Sequence, residues 1–163
     1  MENDYRTEYV DGKRKNPYKN YKFLIKFDGT VVAGVSKVSP LKRTTEVITH
    51  CMGGENSRDF KSPGRTTYEG ITCEHGITSD TDFEDWANKV SHPDGDPSMA
   101  LDSFRKDLLL EVLDEKGQVA RRYKLFGCWV SEFTAVPDLD ASGNAVAIES
   151  IKIEMDYWTR ESI

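Results

Sequence analysis

The stretch DLDASGNAVAIE, residues 138–149, places Asp138, Asp140, Ser142, Gly143 and Glu149 where a calcium-binding loop carries its ligands and its turning glycine. Such oxygens converge on a hard cation when a helix on each side holds the loop ends. Here Pro137 and the β-branched TAV precede the loop, and the alternating run AVAIESIKIEM follows it. An inter-strand turn is the expectation, with no metal. Cys73 and His75 are alternate residues that share a face if the chain is extended, and His50 adjoins Cys51. Neither pair has further ligands at metal-site spacing or an identifiable Asp or Asn to orient an imidazole, so neither a metal centre nor a catalytic thiol is expected. SPGR, residues 62–65, joins a tight turn to a guanidinium that could grip phosphate, but it lacks the strand–loop–helix setting of a P-loop. Arg65 suits an inter-subunit salt bridge better. Carboxylates such as Glu111 and Glu132 are plentiful, yet no pattern singles out a pair for acid–base work. No enzyme activity and no cofactor are expected.

The elements that position these residues are mostly extended. Residues 1–16 are charged and aperiodic and run into Asn16-Pro17, which reads as a flexible N-terminal arm ahead of a single domain over 17–163. In YKFLIKF, Tyr21, Phe23, Ile25 and Phe27 alternate with Lys22, Leu24 and Lys26, a strand with one apolar face. Asp28-Gly29 and the β-branched TVVAGVSKV then predict a hairpin over 21–38. TTEVITHC predicts another strand, and MGGENSRDFKSPGR predicts a long inter-strand loop, of the kind that serves binding. TTYEGITCEHGI resumes a β pattern. One helix follows: Phe83, Trp86, Ala87 and Val90 recur at helical spacing, Ser79 and Asp82 suit an acidic capping box, and HPDGDPS ends it. DLLLEVL and the alternating VARRYKLF flank DEKG as a second hairpin, CWVSEFTAV follows, and PDLDASGN turns into the last strand. These segments predict an α+β, mainly antiparallel β fold in which the one α-helix covers a sheet or a barrel opening.

Bulk properties narrow the function classes. A chain of 163 residues fits one domain. Its hydrophobic content of 37%, charged content of 31% and mean hydropathy of -0.60 imply a core spread thinly, as in a sheet. A net charge of -6 argues against a surface that coats nucleic acid. No apolar run is long enough to span a membrane, and MENDYRTEYVDGKRK lacks a signal-type apolar segment, so no membrane anchor and assembly in the cytoplasm are expected. Three cysteines without CxxC spacing suit buried thiols in a reducing compartment.

Taken in order, the stretches NPYKNYKFLIKFDGTVVAGVSKVSPLKRTTEV, SPGRTTYEGITCEHGITSDTDFEDWANKV, FRKDLLLEV with GQVARRYKLFGCWVSEF, and PDLDASGNAVAIESIKIE resemble the tail tube proteins of contractile bacteriophages and the inner-tube proteins of phage-derived extracellular contractile injection systems. The resemblance implies a tail-tube β-sandwich or barrel whose copies form hexameric rings, six sets of strands closing into one barrel around a lumen. Closure would remove exposed sheet edges, and a lumen would explain strands with one polar face. It further implies stacking of rings inside a contractile sheath, baseplate or hub, tape-measure and terminator proteins as partners, and effector cargo or phage DNA in the lumen. The finished particle would be a virion tail or a released extracellular injection particle. In such assemblies a long loop reaches a neighbouring copy, which nominates residues 42–66, with Lys42, Arg43, Arg58, Lys61 and Arg65, for contacts between subunits or rings. Asp80, Asp82, Glu84 and Asp85 on the helix would face a basic sheath surface. The rival reading is a monomeric or small-oligomer β-barrel binding module, with a pocket inside its own strands and the 42–66 segment as lid.

Overall fold

The computed structural model describes residues 9–10, 13–14, 22–27, 30–31, 35–51, 53–54, 58–77, 81–95 and 103–163. In chain order these form β1 (Tyr9–Val10), β2 (Lys13–Arg14), β3 (Phe23–Phe27), β4 (Thr30–Val31), β5 (Val35–Val38), β6 (Arg43–His50), β7 (Phe60–Tyr68), β8 (Ile71–Gly76), α1 (Asp82–Val90), β9 (Lys106–Leu113), β10 (Val119–Thr134), β11 (Ile148–Glu154) and β12 (Tyr157–Glu161). All strand pairing is antiparallel. Near the N-terminus β1 pairs with β2. Among the described residues no helix is long and apolar enough to cross a membrane.

The 16-residue β10 organises the rest. Its first half lies between β9 and β12 in a sheet ordered β4-β3-β9-β10-β12, and its second half pairs with β11 in a sheet ordered β5-β8-β11-β10. Between the halves the ladder skips from Leu125 to Cys128, and Gly127 sits at φ 64°, a left-handed conformation that costs any residue with a Cβ about 1–2 kcal/mol. A Cβ there would also collide with the Asp156 carboxylate. The bend is clamped from outside: Arg105 Nη1 donates to Gly127 O at 3.2 Å and to Asp156 Oδ1 at 3.1 Å, and Asp156 N donates to Phe126 O at 3.0 Å.

Because strand side chains alternate, each sheet presents one apolar face to the other. Ile25, Phe27, Leu108 and Leu125 from the first sheet meet Ile71, Cys73, Val130, Ile151 and Ile153 from the second, with Cys128 and Met155 completing the core. The helix bridges the two sheets. Its Trp86 ring packs edge-on against Phe27 of β3 at 4.8 Å, while Phe83 lies 5.3 Å from the His75 ring of β8. Burying indole would strand its N–H, and Trp86 Nε1 answers this by donating to Phe104 O at 2.9 Å.

Several expectations are corrected. Val35–Val38 does not continue the first hairpin; β3 pairs with the short β4, and β5 crosses to β8 in the other sheet. SPGR is not a turn, and the last part of the loop expected over 52–65 is strand, since β7 begins at Phe60. VARRYKLF and CWVSEFT are one strand, and β12 was not foreseen. At the helix start Thr81 holds the cap position without a side-chain cap bond, and its hydroxyl donates to Asp85 Oδ2 at 2.9 Å. Ser79 lies outside the described residues, as does the Asp28-Gly29 turn flanked by the pair Phe27↔Thr30.

Candidate functional site

β5 runs on into β6, and β7 into β8, so these four strands form one long ribbon whose lower part, β5 and β8, belongs to the second sheet and whose upper part, β6 and β7, stands apart. Ser39 N and Glu69 N carry the hydrogen bonding across the join, to Thr72 O at 2.9 Å and Lys42 O at 3.0 Å. Eight strand residues reach roughly 27 Å beyond it. Every residue of β6 is exposed. An isolated two-stranded ribbon is marginal in water, so what holds this one at its base matters. The Arg43 guanidinium stacks 5.6 Å over the Trp158 ring, which Tyr68 meets edge-on at 5.9 Å. Glu69 accepts from Lys42 Nζ at 3.2 Å and Thr44 Oγ1 at 3.0 Å, and these bonds hold its carboxyl below the ordinary range.

Farther out, Gly64 is needed for close approach: a Cβ there would lie 3.1 Å from Ile48 and 3.2 Å from Glu46 side-chain atoms. The register pairs Val47 with Pro63 and Thr49 with Lys61 on one face, and Ile48 with Ser62 and His50 with Phe60 on the other. Val47, Ile48 and Phe60 are 64%, 52% and 40% exposed, so neither face is covered.

The cations nominated from sequence separate into groups. Lys42 and Arg43 are occupied at the ribbon base by Glu69 and Trp158. Arg58, near the tip, has a partner within its own chain. Lys61 and Arg65 are exposed on β7. On the helix, Asp82, Glu84 and Asp85 are exposed in the first turn, where acids suit the helix dipole, and Asp80 lies outside the described residues.

A further exposed apolar surface carried no sequence signal strong enough to nominate it. The 135–147 connection between β10 and β11 leaves Val136, Leu139 and Val146 exposed by 57%, 75% and 77%. Its order comes from Asp140, whose Oδ1 accepts from Ser142 N at 2.9 Å and Ser142 Oγ at 2.7 Å. Both bonds hold the Asp140 carboxyl below its ordinary range.

The residues considered for chemistry are engaged elsewhere. Glu149, last of the calcium-like set, lies on β11 with its Oε1 2.9 Å from His75 Nδ1 in the interior. Burial pushes the Cys73 and Cys128 thiols up to about 12, so neither is a ready thiolate. Cys51 is exposed and donates to Asp59 Oδ1 at 3.3 Å, while His50 stacks on Phe60. Among the described residues no three His, Cys, Asp or Glu side chains cluster as metal ligands would. What the geometry offers is surface for protein contact.

Comparison with curated protein sequences finds no match. Among solved structures, a chain of the anti-feeding prophage baseplate superposes with a TM-score of 0.76 at 19% identity, covering 90% of this chain and 97% of that one. A chain of the anti-feeding prophage tube-terminating cap gives 0.77 at 20%, covering 98% and 99%. A chain of the sheath–tube complex of an extracellular contractile injection system in its extended state gives 0.73 at 21%, covering 90% and 93%. These likenesses establish the tail-tube fold. The family profile described as T4-like virus tail tube protein gp19 matches residues 19–159, most of the 163-residue chain, and this chain belongs to that family.

Proposed function

We propose that this tail tube subunit assembles as hexameric rings, stacked into the inner tube of a contractile injection machine, either a phage tail or a phage-derived extracellular particle. The observation that carries the reading is the projecting ribbon, which leaves both faces open and extends well beyond its own core. A closed ring would also cover the edge strands β5 and β12 that the subunit leaves at the margins of its sheets. Around the tube a sheath would dock on the helix face bearing Asp82, Glu84 and Asp85, and baseplate, hub, tape-measure and terminator proteins would set the ends and length. Cargo or DNA would pass through the lumen. The subunit would act as a passive conduit with no catalysis and no cofactor. The 17–163 domain would form the wall of the tube and the 1–16 arm would add contacts at its surface. The rival binding module needs a pocket between its own strands, and that space is filled by core side chains from Ile25 to Met155.

Light scattering with negative-stain imaging of the purified protein at high concentration tests the assembly. Rings with six-fold symmetry, or tubes, are expected. A clean particle of 18.5 kDa at every concentration would overturn the reading.

A further inference from the structure

The ribbon and the 135–147 connection are different surfaces, both exposed and apolar, with a cation beside the apolar pair of the one and acids beside the other. On one ribbon face the apolar Val47 and Pro63 lie beside the cationic Lys61. The connection offers an open concavity of about 680 Å³ lined by Pro137, Leu139, Ala145 and Val146, with Asp138 and Asp140 at its margin. It contains no Lys or Arg between Ala135 and Ala147. Within one subunit both surfaces stay exposed, so neither is covered by the other in its own chain.

We propose that the 135–147 connection is the seat for the ribbon of a neighbouring copy, with Val47 and Pro63 packed against Leu139 and Val146 and Lys61 set against Asp138 and Asp140. This rests on the assembly reading above. Apolar matching supplies the attraction, and the charge pair selects register and partner. Asp140 is suited to hold the seat open, because its hydrogen bonds to Ser142 fix the turn and its lowered pKa keeps it anionic in mildly acidic solution. Since ribbon and seat are unlike, the contact is heterologous: each copy that offers a ribbon leaves its seat free for another, and the series closes into a ring or continues as a stack. A self-complementary patch would stop at a dimer.

The test uses the full chain in a Cys51→Ser background, where the remaining thiols, Cys73 and Cys128, are buried. Val47→Cys combined with Leu139→Cys should give, on oxidation with copper phenanthroline, a ladder of disulfide-linked multimers on a non-reducing gel. Each single variant should give no species beyond a dimer. In parallel, Lys61→Glu should reduce the assembled mass measured by light scattering, and adding Asp138→Lys should restore it. If the parent protein assembles, the paired cysteines form no ladder and the charge swap restores nothing, the seat is wrong while the tube reading stands. If the parent stays monomeric at high concentration and the ladder is absent, both fall together.

Discussion

Glu111 is the most heavily constrained carboxylate among the described residues. It is fully buried, on the side of β9 opposite Leu108 and Leu110. Its Oε1 accepts from Arg122 Nε at 2.8 Å and its Oε2 meets Lys26 Nζ at 2.8 Å. Burial pushes the carboxyl up, but the hydrogen bonds from Lys26 and Arg122 outweigh it and leave the group below its ordinary 4.5. Glu111→Gln would leave two cations without their anion, and because both reach partly into water the cost should be about 2–3 kcal/mol, read from urea unfolding. The sign of the pH effect follows. A carboxyl titrating lower in the folded state than its unfolded 4.5 contributes fully above that value, and the contribution fades as pH falls through the folded value. The parent should therefore lose stability on acidification below about pH 4.5 more steeply than Glu111→Gln. In sequence Glu111 was visible only as one acid among many. Its burial depends on β3 and β10 flanking β9, a long-range pairing that no local pattern encodes.

At the scale of elements, the helix was legible and the ribbon only in part. The helical spacing of Phe83, Trp86, Ala87 and Val90 marks one buried stripe, and Phe83 and Trp86 are indeed 2% and 1% exposed. Trp86→Ala should cost about 3–5 kcal/mol, seen as a lower denaturation midpoint, because it empties the junction between helix and both sheets. Charge reversal on the opposite face, Glu84→Lys with Asp85→Lys, removes the Thr81–Asp85 bond and opposes the helix dipole, so it should cost about 1–2 kcal/mol, while co-sedimentation of the still-folded variant with sheath protein falls. Unchanged sheath binding would remove the helix from the docking surface. The sequence marks β6 and the end of β7 as extended but gives the start of β7 to a loop, because Pro63 and Gly64 are turn formers. Both strands of a two-stranded ribbon are edges, where proline's missing donor is tolerated, and Gly64 is required by the close approach of Ile48. β10 was divided for a related reason. The skip at Gly127 breaks the two-residue period, so one bent strand reads as two.

For the whole molecule, the ribbon sets the scale of what one chain can do alone. Val47→Asp combined with Ile48→Asp adds charge to exposed positions and should leave the melting temperature nearly unchanged. The same variant should stay small by light scattering under conditions where the parent assembles, since apolar contact on both ribbon faces is lost. A variant that assembles like the parent would exclude the ribbon tip from the interface. The sequence by itself determined the antiparallel β class, the amphipathic helix and the resemblance to tail tube proteins, because periodicity and motif order are local properties that need no partner strand. Only the tertiary structure decided that the calcium-like Glu149 turns inward to His75, that Glu111 is a buried ion-pair centre, and that β6 and β7 stand out as a ribbon. Those outcomes depend on which strands lie side by side and in what register, and in this fold β10 sets both by passing from one sheet to the other at Gly127.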